Sequence, residues 1–234
     1  MTESETLKKQ AAERAVESVR SGMVVGLGTG STAVYAVRRI GALLAAGQLA
    51  RGVGIPPAEV TAREAEHCGV PLGGLDDYPV VDITIDGADE IDPALNLIKG
   101  LGGALLREKI VAVASRRLII VADESKRVAR LATRAPVPVE VVPFARRPVA
   151  DYLASLGARV EQRQRDGRPF ITDEGNVILD CHFAGLGEPQ EMARLIRARP
   201  GVVEHGLFLG MAAEAIVAGA GGVVVLSPLP VGEG

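Results

Sequence analysis

The sequence has 234 residues, 47% of them apolar and 3% aromatic, with a formal net charge of −3. That length suits one large domain, or one medium and one small domain, with a core built from Val, Leu, Ile and Ala. The acidic balance and the lack of a long basic run argue against nucleic acid as a partner. No apolar run reaches the roughly 18 residues that a membrane helix needs.

The polar start, MTESETLKKQ, shows no secretory signal. Cys68 and Cys181 are far apart and form no CxxC pair, so a reducing cytoplasm is the expected location. His67, His182 and His205 show no metal-ligand spacing and read as structural.

Thr2 and Glu5 form a capping-box pattern, and Leu7, Ala11, Ala15 and Val19 then share a helical face that Gly22 should end. Residues 23–27 form a short apolar strand running into GTGST at 28–32, with a helix from about Ala33. A helix over 59–68 ends at Gly69. A strand over 81–85 leads into DGADE, a helix covers 104–115, and a strand over 117–122 leads into DESK. Strands alternating with helices predict an α/β fold with a mainly parallel sheet.

The pattern changes near Leu131. PVPVEVVP is a strand bounded by prolines, 147–156 a helix, and 158–164 a half-exposed strand whose hairpin partner is 176–183. A helix over 188–198 and a strand over 202–209 complete a β-α-β-β-α-β order, the ferredoxin-like α+β arrangement. The basic cluster over 159–168, interleaved with Glu161 and Asp166, reads as a solvated strand pair and turn. GGVVVL at 221–226 is one more strand returning to the first domain, and SPLPVGEG a frayed end. The expected division is therefore 1–130 with 205–234, and 131–204.

Ligands of open α/β sheets bind beyond the carboxyl ends of the strands. GTGST, DGADE and DESK all follow strands, and KGLGGALLRE leads into a helix. In GTGST, Gly28 and Gly30 permit close backbone approach to an anion, Thr29, Ser31 and Thr32 offer hydroxyls, and the next helix offers free N–H groups. The glycine spacing matches neither the dinucleotide fingerprint nor a P-loop. DGADEID places Asp86, Asp89, Glu90 and Asp92 within seven residues. A solvated acidic turn, a metal site and an acid/base site beside a cation all remain open readings, though calcium-loop spacing and a His partner are lacking. Lys99 opens a glycine-rich loop with Gly100, Gly102 and Gly103, and can neutralise the carboxylates or stabilise a substrate oxyanion. Glu108, in LLREK, is by spacing an ordinary helix-surface residue.

At these residues the sequence resembles the A-type ribose-5-phosphate isomerases. VGLGTGSTA, IDGADEID, IKGLGGALLREK, VADESK, PVPVEVVP, TDEGNVILDCHF and GVVEHGLFLGMA match that family's segments in order, over nearly the whole chain. The resemblance implies interconversion of D-ribose 5-phosphate and D-ribulose 5-phosphate in the pentose phosphate pathway. It implies a Rossmann-like main domain with helices on both faces of its sheet, a smaller α+β domain, a homodimer or homotetramer, and no metal or organic cofactor. It implies roles as well. Glu108 is the base, and Asp86 and Asp89 bind hydroxyls, with Asp86 assisting ring opening. Lys99 steadies the enediolate. Substrate contacts are implied for Gly28 to Thr32, for Gly87 and Ala88 of DGADE, and for Gly100, Leu101 and Gly102. Lys126 and a lysine near the N-terminus, Lys8 foremost with the adjacent Lys9 as the alternative, are implied near the substrate or its phosphate. Two positions depart from the pattern: Leu101 stands where the family usually has glycine, and Pro57 and Ala58 stand where hydroxyl residues are common.

Overall fold

A computed structural model describes residues 2–228. Met1 and 229–234, most of the tail expected to fray, lie outside the described residues. In chain order the elements are α1 (Glu3–Val16), β1 (Val24–Leu27), α2 (Ala33–Ala45), β2 (Val53–Ile55), α3 (Glu59–His67), β3 (Ile83–Asp86), β4 (Glu90–Ile91), β5 (Leu97–Ile98), α4 (Leu105–Val113) and β6 (Leu118–Asp123). There follow β7 (Val137–Val141), α5 (Arg146–Ser155), β8 (Arg159–Gln162), β9 (Gln164–Arg165), β10 (Arg168–Pro169), β11 (Val177–His182), α6 (Pro189–Arg197), β12 (Val202–His205), β13 (Leu207–Phe208), β14 (Glu214–Gly219) and β15 (Gly222–Leu226).

These elements pack as two compact units. One holds 2–88, 107–126 and 210–228, the other 89–106 and 127–209. The stretch 89–106 thus packs with the small-sheet unit, whereas the sequence grouped it with the first domain.

In the first unit, a six-stranded sheet has the order β15-β14-β6-β3-β1-β2, parallel except for β15. Winding reverses between β1 and β3, which makes their shared carboxyl end the place for a ligand. Strand alternation sorts the two faces. Val25, Leu27, Ile83, Ile85, Ile119, Val121 and Ile216 pack with Ala11, Ala15 and Val16 of α1 and with Ala36, Val37 and Ile40 of α2. On the opposite face, Val111 of α4 packs with Ile55 and Val81. It also closes on Gly26, where an added Cβ would meet its side chain at 2.8 Å. Helices therefore cover both faces, as the resemblance implies.

The capping box forms: Glu5 N–H donates to Thr2 Oγ1 (3.2 Å) and Thr2 N–H to Glu5 Oε2 (2.7 Å). The helix nevertheless stops at Val16, before Gly22. Ser18 and Val19 bond back only three residues, tightening the last turn, and Gly22 (φ 85°) comes after it. In this unit two strands escape the sequence pattern. β2 is three residues long and contains Gly54, and β14 (EAIVAG) carries small residues of low strand preference, held by neighbours on both sides.

In the second unit, β7-α5-β8-β11-α6-β12 forms an antiparallel sheet of order β12-β7-β11-β8, the expected ferredoxin-like arrangement. Val137, Val139, Val141, Leu179, Val149, Leu153 and Ile196 form its core. The expected strand over 202–209 breaks at Gly206. There the Gly206 N–H donates to Pro138 O (2.7 Å), and its carbonyl accepts from Lys99 N–H (2.9 Å). A Cβ at that point would lie 2.2 Å from the Lys99 carbonyl oxygen, so only glycine lets the chain pass. β12 stays in the four-stranded sheet, and β13 joins β5 and β4 in a separate three-stranded one. Between β8 and β11, β9 and β10 form a short exposed hairpin turned by Asp166 (φ 53°) and Gly167 (φ 73°), the solvated strand pair expected there.

Glu140, inside β7 and 1% exposed, accepts hydrogen bonds from Thr172 Oγ1 and Asn176 Nδ2 (both 2.9 Å). Burial pushes its carboxyl above the ordinary range, and Glu174 and Glu204 add to that, against the pull of the two hydrogen bonds.

Candidate active site

The GTGST turn leaves β1 at the reversal of winding, directly beside the end of β3. Gly28 N–H donates to Ile85 O (2.9 Å), which seats the turn against the neighbouring strand. A Cβ on Gly28 would lie 2.4 Å from the Asp86 Cα, so the close approach requires glycine. Gly30 takes φ 102°. Asp86 is the last residue of β3 and is buried. Its Oδ1 accepts from Thr29 N–H (3.1 Å) and Gly87 N–H (2.7 Å), so the carboxylate is fixed by backbone on two sides.

The same unit holds the two N-terminal lysines. Lys8 Nζ donates to Ser31 Oγ (3.0 Å), while Lys9 turns to Glu13 (3.9 Å). Lys126 ends a short turn after β6, the strand next to β3. Asp123 holds that turn by accepting from the Ser125 N–H (3.0 Å) and hydroxyl. Glu108 lies in the first turn of α4 and is 5% exposed. That corrects the sequence reading of an ordinary solvated helix residue. A carboxylate held away from water can act as a general base on a carbon acid placed within its reach.

Ala88 closes the first stretch of the first unit, and the second unit holds the remaining implied residues: Asp89, Lys99, Gly100, Leu101 and Gly102. Asp89 Oδ2 accepts from Leu101 N–H (3.0 Å). Lys99 is buried, with its ammonium 5.4 Å from the Phe208 ring centroid, which favours a cation there. Gly100 (φ 105°) and Gly103 (φ 95°) take the left-handed conformations of the loop. Leu101 does not, and the residue is 42% exposed, so leucine is accommodated there without backbone strain.

The acidic run thus divides into separately held carboxylates. Asp86 and Asp89 bond as above. Glu90 accepts from the N–H groups of Ala132 (2.6 Å), Arg134 (2.7 Å) and Ala135 (2.8 Å), and Asp92 from Ala94 (2.9 Å) and Asn96 (2.8 Å). Glu90 and Asp92 are thereby structural, pinning loops of the second unit. Among the described residues, no group of three or more His, Cys, Asp or Glu side chains is placed to hold a metal ion.

Three contacts lay beyond sequence reasoning. Thr61 of α3, buried, shares a 3.0 Å hydrogen bond between hydroxyls with Thr29. The Phe170 ring closes on Gly103, where a Cβ would come within 2.4 Å of it. Arg163, from the basic cluster read as solvated, has a side chain only 12% exposed and donates to the carbonyls of Gly100 (2.7 Å) and Leu101 (3.0 Å). For Arg163 the solvated reading is corrected: Asp180 neutralises it, a pairing across strands that spacing does not reveal.

A doubly wound sheet, with an anion-ready turn and a fixed carboxylate at its reversal point, defines an α/β enzyme acting on a small anionic substrate. Comparison with known proteins narrows that class. Residues 53–222 match the family model described as ribose 5-phosphate isomerase A (phosphoriboisomerase A). The chain is 54% identical over 220 residues to ribose-5-phosphate isomerase A of Roseiflexus castenholzii, covering 94% of each chain. It is similar to the solved ribose 5-phosphate isomerase of Plasmodium falciparum, with a TM-score of 0.92, 42% identity, and coverage of 95% of this chain and 98% of that one. It is also similar to a D-ribose-5-phosphate isomerase solved in complex with phospho-erythronic acid, with a TM-score of 0.94, 38% identity, and coverage of 97% and 100%. The chain belongs to the ribose-5-phosphate isomerase A family.

Proposed function

We propose that this chain interconverts D-ribose 5-phosphate and D-ribulose 5-phosphate through an enediolate. The observation that carries the reading is the family match over 53–222, a span that contains Asp86, Asp89, Lys99 and Glu108. Asp86 assists opening of the sugar ring. The Glu108 carboxylate then removes the proton from C2 while the C1 carbonyl oxygen takes up negative charge, and the Lys99 ammonium offsets that charge. Glu108 returns the proton to C1. The C2 hydroxyl gives up its own proton to leave the ketone, and the C1 oxygen is reprotonated. One base both takes and gives the proton, so the balance calls for no oxidant or reductant.

Asp89 holds substrate hydroxyls. The amides and hydroxyls of the 28–32 turn, with Lys8 and Lys126, hold the anionic end and supply binding energy remote from the reacting carbons. Phospho-erythronic acid, bound by a structural relative, fits this chemistry: its carboxylate is planar and anionic, like an enediolate. In this reading the enzyme is cytoplasmic and works as a homodimer or homotetramer. Among the described residues no helix is long and apolar enough to cross a membrane. Val223, Val224 and Val225 leave apolar surface on the edge strand β15, which supports assembly with a second copy.

The test is to incubate the EDTA-treated protein with ribose 5-phosphate and follow ketose formation. Ketose should form at the same rate with and without the chelator. No ketose would refute the reading, and loss on chelation restored by a divalent ion would revive a metal at the acidic run.

A further inference from the structure

We infer that Arg163 is a positioning residue for the isomerisation: it holds the substrate loop 99–103 in the shape that presents Asp89 and the loop amides. Arg163 sits between β8 and β9, its own backbone bonded to Ile178 O (2.9 Å) and from Phe170 N–H (3.0 Å), so its side chain starts from a fixed point. One edge of the guanidinium grips Asp180, with Nε donating to Oδ2 (2.9 Å) and Nη2 to Oδ1. Nη1 reaches the two consecutive carbonyls of Gly100 and Leu101. One guanidinium nitrogen thereby ties two successive peptides of the loop, just after Gly100 turns the chain at φ 105°.

A trans peptide points its N–H away from its C=O. Tying down the Gly100 carbonyl therefore aims the Leu101 N–H the opposite way, and there it meets Asp89 Oδ2 at 3.0 Å. Asp180, Arg163, the 100–101 peptide and Asp89 form one continuous chain of contacts within the second unit. Phe170, from the same hairpin, blocks any side chain at Gly103. The hairpin thus acts as a clamp on the loop. A guanidinium is suited to this because its planar fork serves a carboxylate and two carbonyls at once, which an ammonium does not match.

The inference rests on the isomerase reading of Asp89 and the loop, and its test separates the two. Steady-state kinetics on ribose 5-phosphate are measured for the full chain, Arg163→Met, Asp89→Asn and the double variant, with amide hydrogen exchange at Leu101. Arg163→Met should lower kcat/KM by about tenfold to a hundredfold, the scale expected when a reacting constellation shifts by about 1 Å. The double variant should lose little beyond the larger single loss, and Leu101 should exchange faster in Arg163→Met. Should Arg163→Met fail to fold, Arg163→Lys, which keeps the charge and loses the fork, enters the same cycle and should show the same coupling to Asp89→Asn. Losses that multiply independently, or kcat/KM within about twofold of wild type with unchanged Leu101 exchange, would overturn the inference. A wild-type chain inactive on ribose 5-phosphate would refute the isomerase reading instead, and Leu101 exchange alone would then decide whether Arg163 holds the loop.

Discussion

Glu140 shows how a single buried group sets a pH dependence. Its folded-state pKa lies above the ordinary value, so the folded chain binds that proton more tightly than the unfolded chain. The cost of ionisation is absent below the ordinary glutamate range and complete above the raised folded value. Stability contributed at this site therefore falls as pH rises through that window. Glu140→Gln keeps an acceptor for Thr172 and Asn176 without the charge. Its melting temperature should exceed wild type at pH 8, and the gain should vanish near pH 4. An equal gain at both values would contradict the burial argument. Cys181 follows the same physics: burial pushes its thiol up to about 12, which leaves it a core residue rather than a nucleophile.

At the scale of elements, turns and helix starts carry the testable claims. Gly28→Ala forces a Cβ into Asp86 backbone, which cannot yield as a flexible side chain can. The variant should lose about 1–3 kcal/mol of stability in denaturant titration and most of its turnover; wild-type behaviour in both would show that the contact is soft. Helix α3 starts at Ala58 in extended conformation with no side-chain cap, because alanine stands where hydroxyl residues are common. Ala58→Ser should add about 0.5–1 kcal/mol in the same titration, and no gain would mean that the hydroxyl finds no N–H there. Such local rules were largely legible in the sequence. The capping box, the glycine stop after α3 and the β-α-β-β-α-β order follow from residue types at fixed spacing. The breaks at Val16 and Gly206 do not, since they depend on where the chain must go next in three dimensions.

For the molecule as a whole, the parallel sheet and the small antiparallel sheet were readable because alternating strands and helices leave few ways to bury their apolar faces. GTGST and Asp86 were readable as partners because both follow strands that a parallel sheet brings side by side. Membership of 89–106 in the second unit was not, since the loops that Glu90 and Asp92 pin are distant in sequence or irregular in form. The sharpest gap was Glu108. Its spacing marked a surface residue, only the family resemblance singled it out, and the structure supplies the burial that the proposed chemistry requires. The same gap hid Arg163, whose neutralising Asp180 lies 17 positions away on β11.

The central claim is that Glu108 moves the proton in the isomerisation of ribose 5-phosphate. It is tested most directly by comparing ketose formation by wild type and Glu108→Gln at matched melting temperature. The account predicts that wild type forms ribulose 5-phosphate and that the variant, equally folded, is slower by about a thousandfold or more. A folded variant turning over near the wild-type rate would contradict it.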